Sequence, residues 1–130
     1  MPFFTLRKKE NISLKNNFNN YIYKKNMLLI SPKECQIGIN NNQIEIIDIR
    51  ELYEFEIANI SSKHIPMAEF TTRISELDRT KKTVLMCRSG KRAEALANLI
   101  TTEGLINEVF IMNGGILAWI QTVDSSLKLD

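Results

Sequence analysis

The chain has a single histidine, His64, and two cysteines, Cys35 and Cys87, among 130 residues. One imidazole leaves little from which to build a zinc site or a histidine-based catalytic dyad. No cysteine or histidine recurs at metal-ligand spacing, so no metal is expected. Two cysteines allow at most one disulfide, and usage this sparse fits a reducing, cytoplasmic setting. No apolar run approaches the roughly 18–20 residues that a membrane-spanning helix needs, so no membrane partner is expected. A secretory signal requires an unbroken apolar stretch of about 7–15 residues after the first basic residues, and that too is missing.

What remains is the composition of an ordinary globular domain, with 44% apolar and 25% charged residues. The length suits one domain with a real core and is short for two. The formal net charge of +2 conceals an uneven distribution. Residues 1–26 hold six Lys/Arg against one acid and carry +5, while the remainder holds 11 basic against 14 acidic residues and carries −3. Basic character thus belongs to the N-terminal segment, and no nucleic-acid partner is expected of the body of the chain. That segment is rich in Asn and Lys without helical or strand period, and residues 1–26 are expected to be a mobile basic extension to a domain at 27–130. Met27, where organised sequence begins, is an alternative start.

From Met27 the signals alternate in type. Met27–Ile30 is apolar and strand-like, and Ser31-Pro32-Lys33-Glu34 reads as a capping box opening a short helix to about Ile39. Ile44 to Ile49 is β-branched and predicts a buried strand ending near Asp48. Glu51 to Ile57 predicts a short helix with Leu52, Phe55 and Ala58 inward. Ser61-Ser62-Lys63 reads as loop, and His64-Ile65-Pro66 as an extended passage imposed by the proline. Met67 to Leu77 is expected to be helical, with Phe70, Ile74 and Leu77 on one side. A strand at 82–86 and a helix at 92–103, closed by Gly104, follow. Val109-Phe110-Ile111 is a last strand, Asn113-Gly114-Gly115 a sharp turn, and Ile116, Trp119, Ile120 and Val123 a last amphipathic helix. This alternation predicts an α/β fold, with a central parallel sheet flanked by helices on both faces. The functional crevice of such sheets lies beyond the carboxyl ends of the strands, where Cys87 and Asp48 both fall.

The stretch Cys87-Arg88-Ser89-Gly90-Lys91-Arg92 joins a nucleophile to an anion cradle. A cysteine between the end of a strand and the start of a helix faces unpartnered N–H groups and the positive end of the macrodipole. Such a place favours an anion and lowers a thiol's pKa from its free value of about 8.5. Arg88, Lys91 and Arg92 add cations, so Cys87 is expected to be a reactive thiolate open to solvent. N–H groups of residues 88–92, curled into a nest, would hold the negative sulfur.

Taken together, the chain resembles the rhodanese-like family of sulfurtransferases, in a single-domain form. The resemblance covers roughly Ile30 to Leu127. It rests on Ile47-Asp48-Ile49-Arg50-Glu51 with Tyr53-Glu54-Phe55, on His64-Ile65-Pro66, on the cysteine stretch, and on Gly114-Gly115-Ile116-Leu117-Ala118-Trp119. It implies a cysteine that becomes a persulfide without metal or cofactor. It also implies a thiosulfate or protein-persulfide donor, and a thiol, cyanide or sulfur-carrier protein as acceptor. Family sulfurtransferases have a six-residue cysteine loop, whereas the related dual-specificity phosphatases have seven. Cys87 through Arg92 counts six, which favours sulfur over phosphate. Ala93 departs from the family, standing where many members carry a small hydroxyl residue.

For the other residues a plainer role competes with a functional one. Arg88, Ser89, Gly90, Lys91 and Arg92 are the candidate substrate-binding residues, with Arg92 either lining the pocket or fixing the loop. Asp48 and Arg50 either shape the site or, as expected, pair with each other or brace the loop. His64 is expected to be a hydrogen-bonded structural residue and Cys35 a packing residue, the alternative for Cys35 being a resolving thiol. The functional alternative to sulfur transfer is a non-catalytic binding or regulatory module on the same fold.

Overall fold

The structure is a computed structural model that describes Ile22–Tyr23 and residues 27–130. Five strands form an all-parallel sheet: β2 (Met27–Ile30), β3 (Ile44–Asp48), β4 (Lys63–His64), β5 (Lys82–Met86) and β6 (Val109–Met112). A two-residue strand, β1 (Ile22–Tyr23), adds to the edge antiparallel to β2, and the spatial order is β1-β2-β6-β5-β3-β4. Apart from β1, the basic segment 1–26 lies outside the described residues.

The strands form where β-branched and long apolar residues alternate between two buried faces. Ile47, Leu85, Val109 and Ile111 point to one side, where helix α3 (Lys91–Thr102) buries Ala93, Leu96, Ala97 and Ile100 against them. Ile44, Ile46, Val84, Met86 and Met112 point to the other, against α1 (Pro32–Asn40) and α4 (Gly115–Thr122), whose Cys35, Ile116 and Trp119 complete that core. Each fully buried Leu or Ile contributes about 1.5–3 kcal/mol, so both layers are needed to hold the sheet. The parallel sheet with helices on its two faces is therefore as expected.

Local chemistry sets the ends. The Ser31 hydroxyl accepts the Glu34 N–H at 3.1 Å, and the Glu34 carboxylate accepts the Ser31 N–H at 3.1 Å, opening α1 with Pro32 in its first turn. The short helix α2 (Leu52–Ile57) differs from expectation in one respect: Leu52 is 57% exposed. With only six residues, α2 meets the rest of the molecule through Phe55, whose ring stacks on His64 at 4.4 Å, and through the buried Ala58 just past its end. Lys63, expected in a loop, instead pairs with Ile47 in β4.

The expected helix over Met67 to Leu77 is two 3₁₀ turns, Met67–Glu69 and Thr71–Glu76. Arg73 leaves the helical region at φ −118°, ψ 17°, with its guanidinium held by Glu69 and Glu76. The Thr72 hydroxyl donates to the Glu69 carbonyl, a local bond that competes with the α-helical ladder. Phe70 and Leu77 are buried and Ile74 packs against the same core, so the expected inward side survives the change of helix type.

Candidate active site

Cys87 is the first residue after β5, and α3 starts at Lys91, so the six-residue stretch crosses the carboxyl edge of the sheet. The chain turns back at Gly90, whose φ of +107° lies in the left-handed region that favours glycine. This turn aims two backbone donors at the sulfur. The Cys87 Sγ accepts the Gly90 N–H at 3.1 Å and the Ala93 N–H at 3.4 Å. Of the amides expected over 88–92, Gly90 thus contributes, and the first turn of α3 supplies its other donor one residue further on, at Ala93. Ala93 offers no hydroxyl, but its backbone does the work of a donor.

The thiol is more enclosed than expected, since Cys87 is 1% exposed. Arg88, Ser89 and Lys91 stand exposed around it. A cleft of about 230 Å³ runs along the outside of the loop, lined by Ser89, Gly90, Lys91 and Gly114, and Cys87 does not reach it. Arg88 and Lys91 are thus exposed at the loop whose cysteine is buried.

Arg92 is paired with the neighbouring helix α2. Its guanidinium forms a fork to Glu54 on α2, Nη1 to Oε1 at 2.8 Å and Nη2 to Oε2 at 3.0 Å. The same carboxylate accepts the Glu51 N–H at 3.0 Å. The Arg92 fork, more than any other neighbour, holds the Glu54 carboxyl down at about 2, from its usual 4.5. The corresponding stabilisation is fully present above about pH 4.5 and is lost as pH falls toward 2. A partly exposed pair of this geometry contributes on the order of 1 kcal/mol. Glu54→Gln is accordingly expected to melt below wild type near neutral pH, and the difference should vanish in thermal melts at about pH 2. A gap that does not change with pH would show that the charge is not what stabilises this contact.

Asp48 and Arg50 make a buried ion pair, 0% and 2% exposed. Arg50 Nη2 donates to Asp48 Oδ2 at 2.8 Å and to the Ala58 carbonyl at 2.8 Å, while Nε donates to Oδ1 at 3.0 Å. The Arg50 backbone N–H also reaches Oδ1 at 3.0 Å. The pair thereby staples the end of β3 to the end of α2, the helix that carries Glu54. His64 donates from Nε2 to the Arg50 carbonyl at 2.8 Å, in the structural place expected of it. Cys35 is fully buried on α1, where burial pushes its thiol up to about 12, and it faces the opposite side of the sheet from Cys87. That is the packing residue expected, and the sheet separates it from any resolving role. Glu54 is the partner that reasoning from sequence missed; its signal was the Glu51–Glu54 spacing at the start of α2.

Among the described residues no cluster of His, Cys, Asp and Glu is arranged to hold a metal, and no helix is long and apolar enough to cross a membrane. The features that stand out are a doubly flanked parallel sheet and, at its carboxyl edge, one cysteine inside a six-residue loop with amides turned onto its sulfur. These define a loop-thiol α/β domain.

Comparison with known proteins gives that class its family. The model of the rhodanese-like domain matches residues 31–122, and the chain belongs to that family. A rhodanese-related protein from Thermoplasma volcanium has the same fold with a TM-score of 0.62 and 27% identity, over 78% of this chain and 97% of that one. The tRNA uridine(34) hydroxylase of Chlamydia caviae is 31% identical over 103 residues, 72% of this chain and 31% of that protein. The Bacillus subtilis (strain 168) protein YrkF, whose name provisionally assigns it to sulfur carriage, is 30% identical over 76 residues, 58% of this chain and 41% of that protein. The chain thus spans less than half the length of these curated relatives.

Proposed function

We propose that this chain is a sulfurtransferase of the cytoplasm that carries sulfane sulfur on Cys87. The observation that carries the reading is the pair of N–H groups from Gly90 and Ala93 turned onto the Cys87 sulfur. Family membership and the six-residue loop point the same way.

In the first half-reaction the Cys87 thiolate attacks the outer sulfur of thiosulfate. A new S–S bond forms to Cys87, the donor's S–S bond breaks, and sulfite leaves with the electron pair. A protein persulfide reacts in the same sense and leaves as a thiolate. The product is an anionic persulfide, and preorganised amides in a water-poor loop suit the charge that moves onto the outer sulfur. Arg88 and Lys91, both exposed beside the loop, draw the anionic donor in, with Ser89 and Gly90 completing the rim. Arg92, tied to Glu54, and the Asp48–Arg50 staple act as positioning residues for the loop. In the second half-reaction a thiol, cyanide or the thiol of a sulfur-carrier protein attacks the terminal sulfur and restores the Cys87 thiolate. Incubation with thiosulfate or a protein persulfide is expected to add one sulfur atom to Cys87, seen by intact-protein and peptide mass spectrometry. If both donors leave the thiol unmodified, the reading fails.

The burial of Cys87 favours a second reading, a binding or regulatory module that keeps the loop without using its sulfur. Equal complementation of a deletion strain by wild type and Cys87→Ser would support that module against the enzyme.

A further inference from the structure

The loop around Cys87 does not hold its shape alone. The Ile116 N–H donates to the Cys87 carbonyl at 2.9 Å, and the Leu117 N–H donates to the Arg88 carbonyl at 3.2 Å. Both belong to the first turn of α4, whose amides have no partner within their own helix. Gly115, at φ +62°, brings that turn onto the loop: a β-carbon there would fall on the Cys87 and Arg88 carbonyl groups themselves.

The peptide plane turns these two contacts into an orientation. In a trans peptide the carbonyl and the following N–H point in opposite directions, and no cis bond is present among the described residues. With the Cys87 and Arg88 carbonyls drawn toward α4, the N–H groups of Arg88 and Ser89 face away from it. The helix α4 packs on one side of the sheet, and the Cys87 side chain belongs to the core of the other. The amides are therefore turned toward the side of the sheet that holds the sulfur, while Gly90 and Ala93 already reach Sγ.

We propose that α4 is the clamp of the sulfur site: its first amides, admitted by Gly115, pin the Cys87 and Arg88 carbonyls and so set the loop N–H groups for the outer sulfur of a Cys87 persulfide. Gly115 and the Leu117 amide are positioning elements in this arrangement. The proposal rests on the sulfur-transfer reading and concerns how the site is built.

The test compares Leu117→Pro, Leu117→Ala and Gly115→Ala with wild type. Leu117 is 39% exposed, and proline is tolerated in a first helical turn; Leu117→Pro deletes the N–H and sets its ring Cδ against the Arg88 carbonyl in its place, while Leu117→Ala keeps the N–H. The readouts are the rate of sulfur uptake from thiosulfate and the ratio of Cys87 alkylation rates with anionic iodoacetate and neutral iodoacetamide. Melting curves establish that each variant is folded.

Leu117→Ala is expected to match wild type within about twofold, and Leu117→Pro to lose at least roughly fivefold, the worth of one hydrogen bond, because its ring also pushes the Arg88 carbonyl away. Folded Gly115→Ala is expected to lose about 10²-fold, as for a reacting group displaced by 1 Å. The iodoacetate-to-iodoacetamide ratio should fall in the same order, which general loosening of the fold does not produce. If Leu117→Pro behaves as Leu117→Ala in both readouts, the clamp is overturned, whether or not Gly115→Ala folds. If wild type takes up no sulfur, the sulfur-transfer reading fails separately, and the alkylation ratio alone then decides for or against the clamp.

Discussion

Cys87→Ser is expected to fold as wild type and to take up sulfur from thiosulfate slower by on the order of 10³-fold or more. The serine oxygen is smaller than sulfur but keeps an acceptor on the same side of the loop as the Gly90 and Ala93 N–H groups, so the substitution does not crowd the loop. What it lacks is a polarisable anion able to displace sulfite and keep the transferred atom. The other thiol is no substitute, because Cys35 is fully buried and its thiol is pushed up to about 12. Cys35→Ala should accordingly keep the wild-type rate, with any loss confined to stability. The measurement is single-turnover sulfite release together with the mass of the protein. Undiminished sulfite release by Cys87→Ser would place the chemistry elsewhere.

Arg50→Ala is expected to cost about 3–5 kcal/mol of stability, the typical penalty for removing one partner of a buried ion pair. The loss leaves the Asp48 carboxylate inside the protein with only the backbone N–H of residue 50, and strips the Ala58 carbonyl of its donor. Against a total stability of about 5–15 kcal/mol, this would lower the melting temperature by roughly 10–20 °C. Where the variant still folds, the end of α2 is released and Glu54 with it, so activity should fall by more than the unfolded fraction explains. The double variant Asp48→Leu/Arg50→Met tests the cause, because well-packed apolar replacement of a buried pair is often near neutral. A single variant that melts within a few degrees of wild type would show that the staple does not hold this edge.

Most of the fold was legible because its signals were redundant. The β-branched run at Ile44–Ile49, the capping box at Ser31–Glu34 and the i, i+3, i+4, i+7 pattern of Ala93, Leu96, Ala97 and Ile100 each stated type and buried face. The errors fall where tertiary forces override local pattern. Met67 to Leu77 carries a helical spacing of apolar residues, but the segment is 3₁₀ rather than α, with the Thr72 side chain bonded back to Glu69 and a kink at Arg73. Leu52 looked inward by spacing, but the stacking of Phe55 on His64 and the Glu54–Arg92 fork determine which side of α2 faces the protein.

The site was legible in part. Cys87 and its flanking cations follow from sequence, and so does the pairing of Asp48 with Arg50, two residues apart on one strand end. Long-range partners do not. The Arg92–Glu54 fork spans 38 positions, and the hold of Ile116 and Leu117 on the Cys87 and Arg88 carbonyls joins elements separated by α3 and β6. The enclosure of Cys87 likewise depends on how the loop closes in space, which no run of residues states.

The wall of strands between the two thiols has a consequence for redox life. If Cys87 is oxidised to a sulfenic acid, no second thiol of the same molecule stands ready to condense with it. Recovery must come from an external reductant, and prolonged oxidant exposure would drive the residue toward the irreversible sulfinic and sulfonic states. The chain's working lifetime is thereby tied to the thiol pool in which it is bathed.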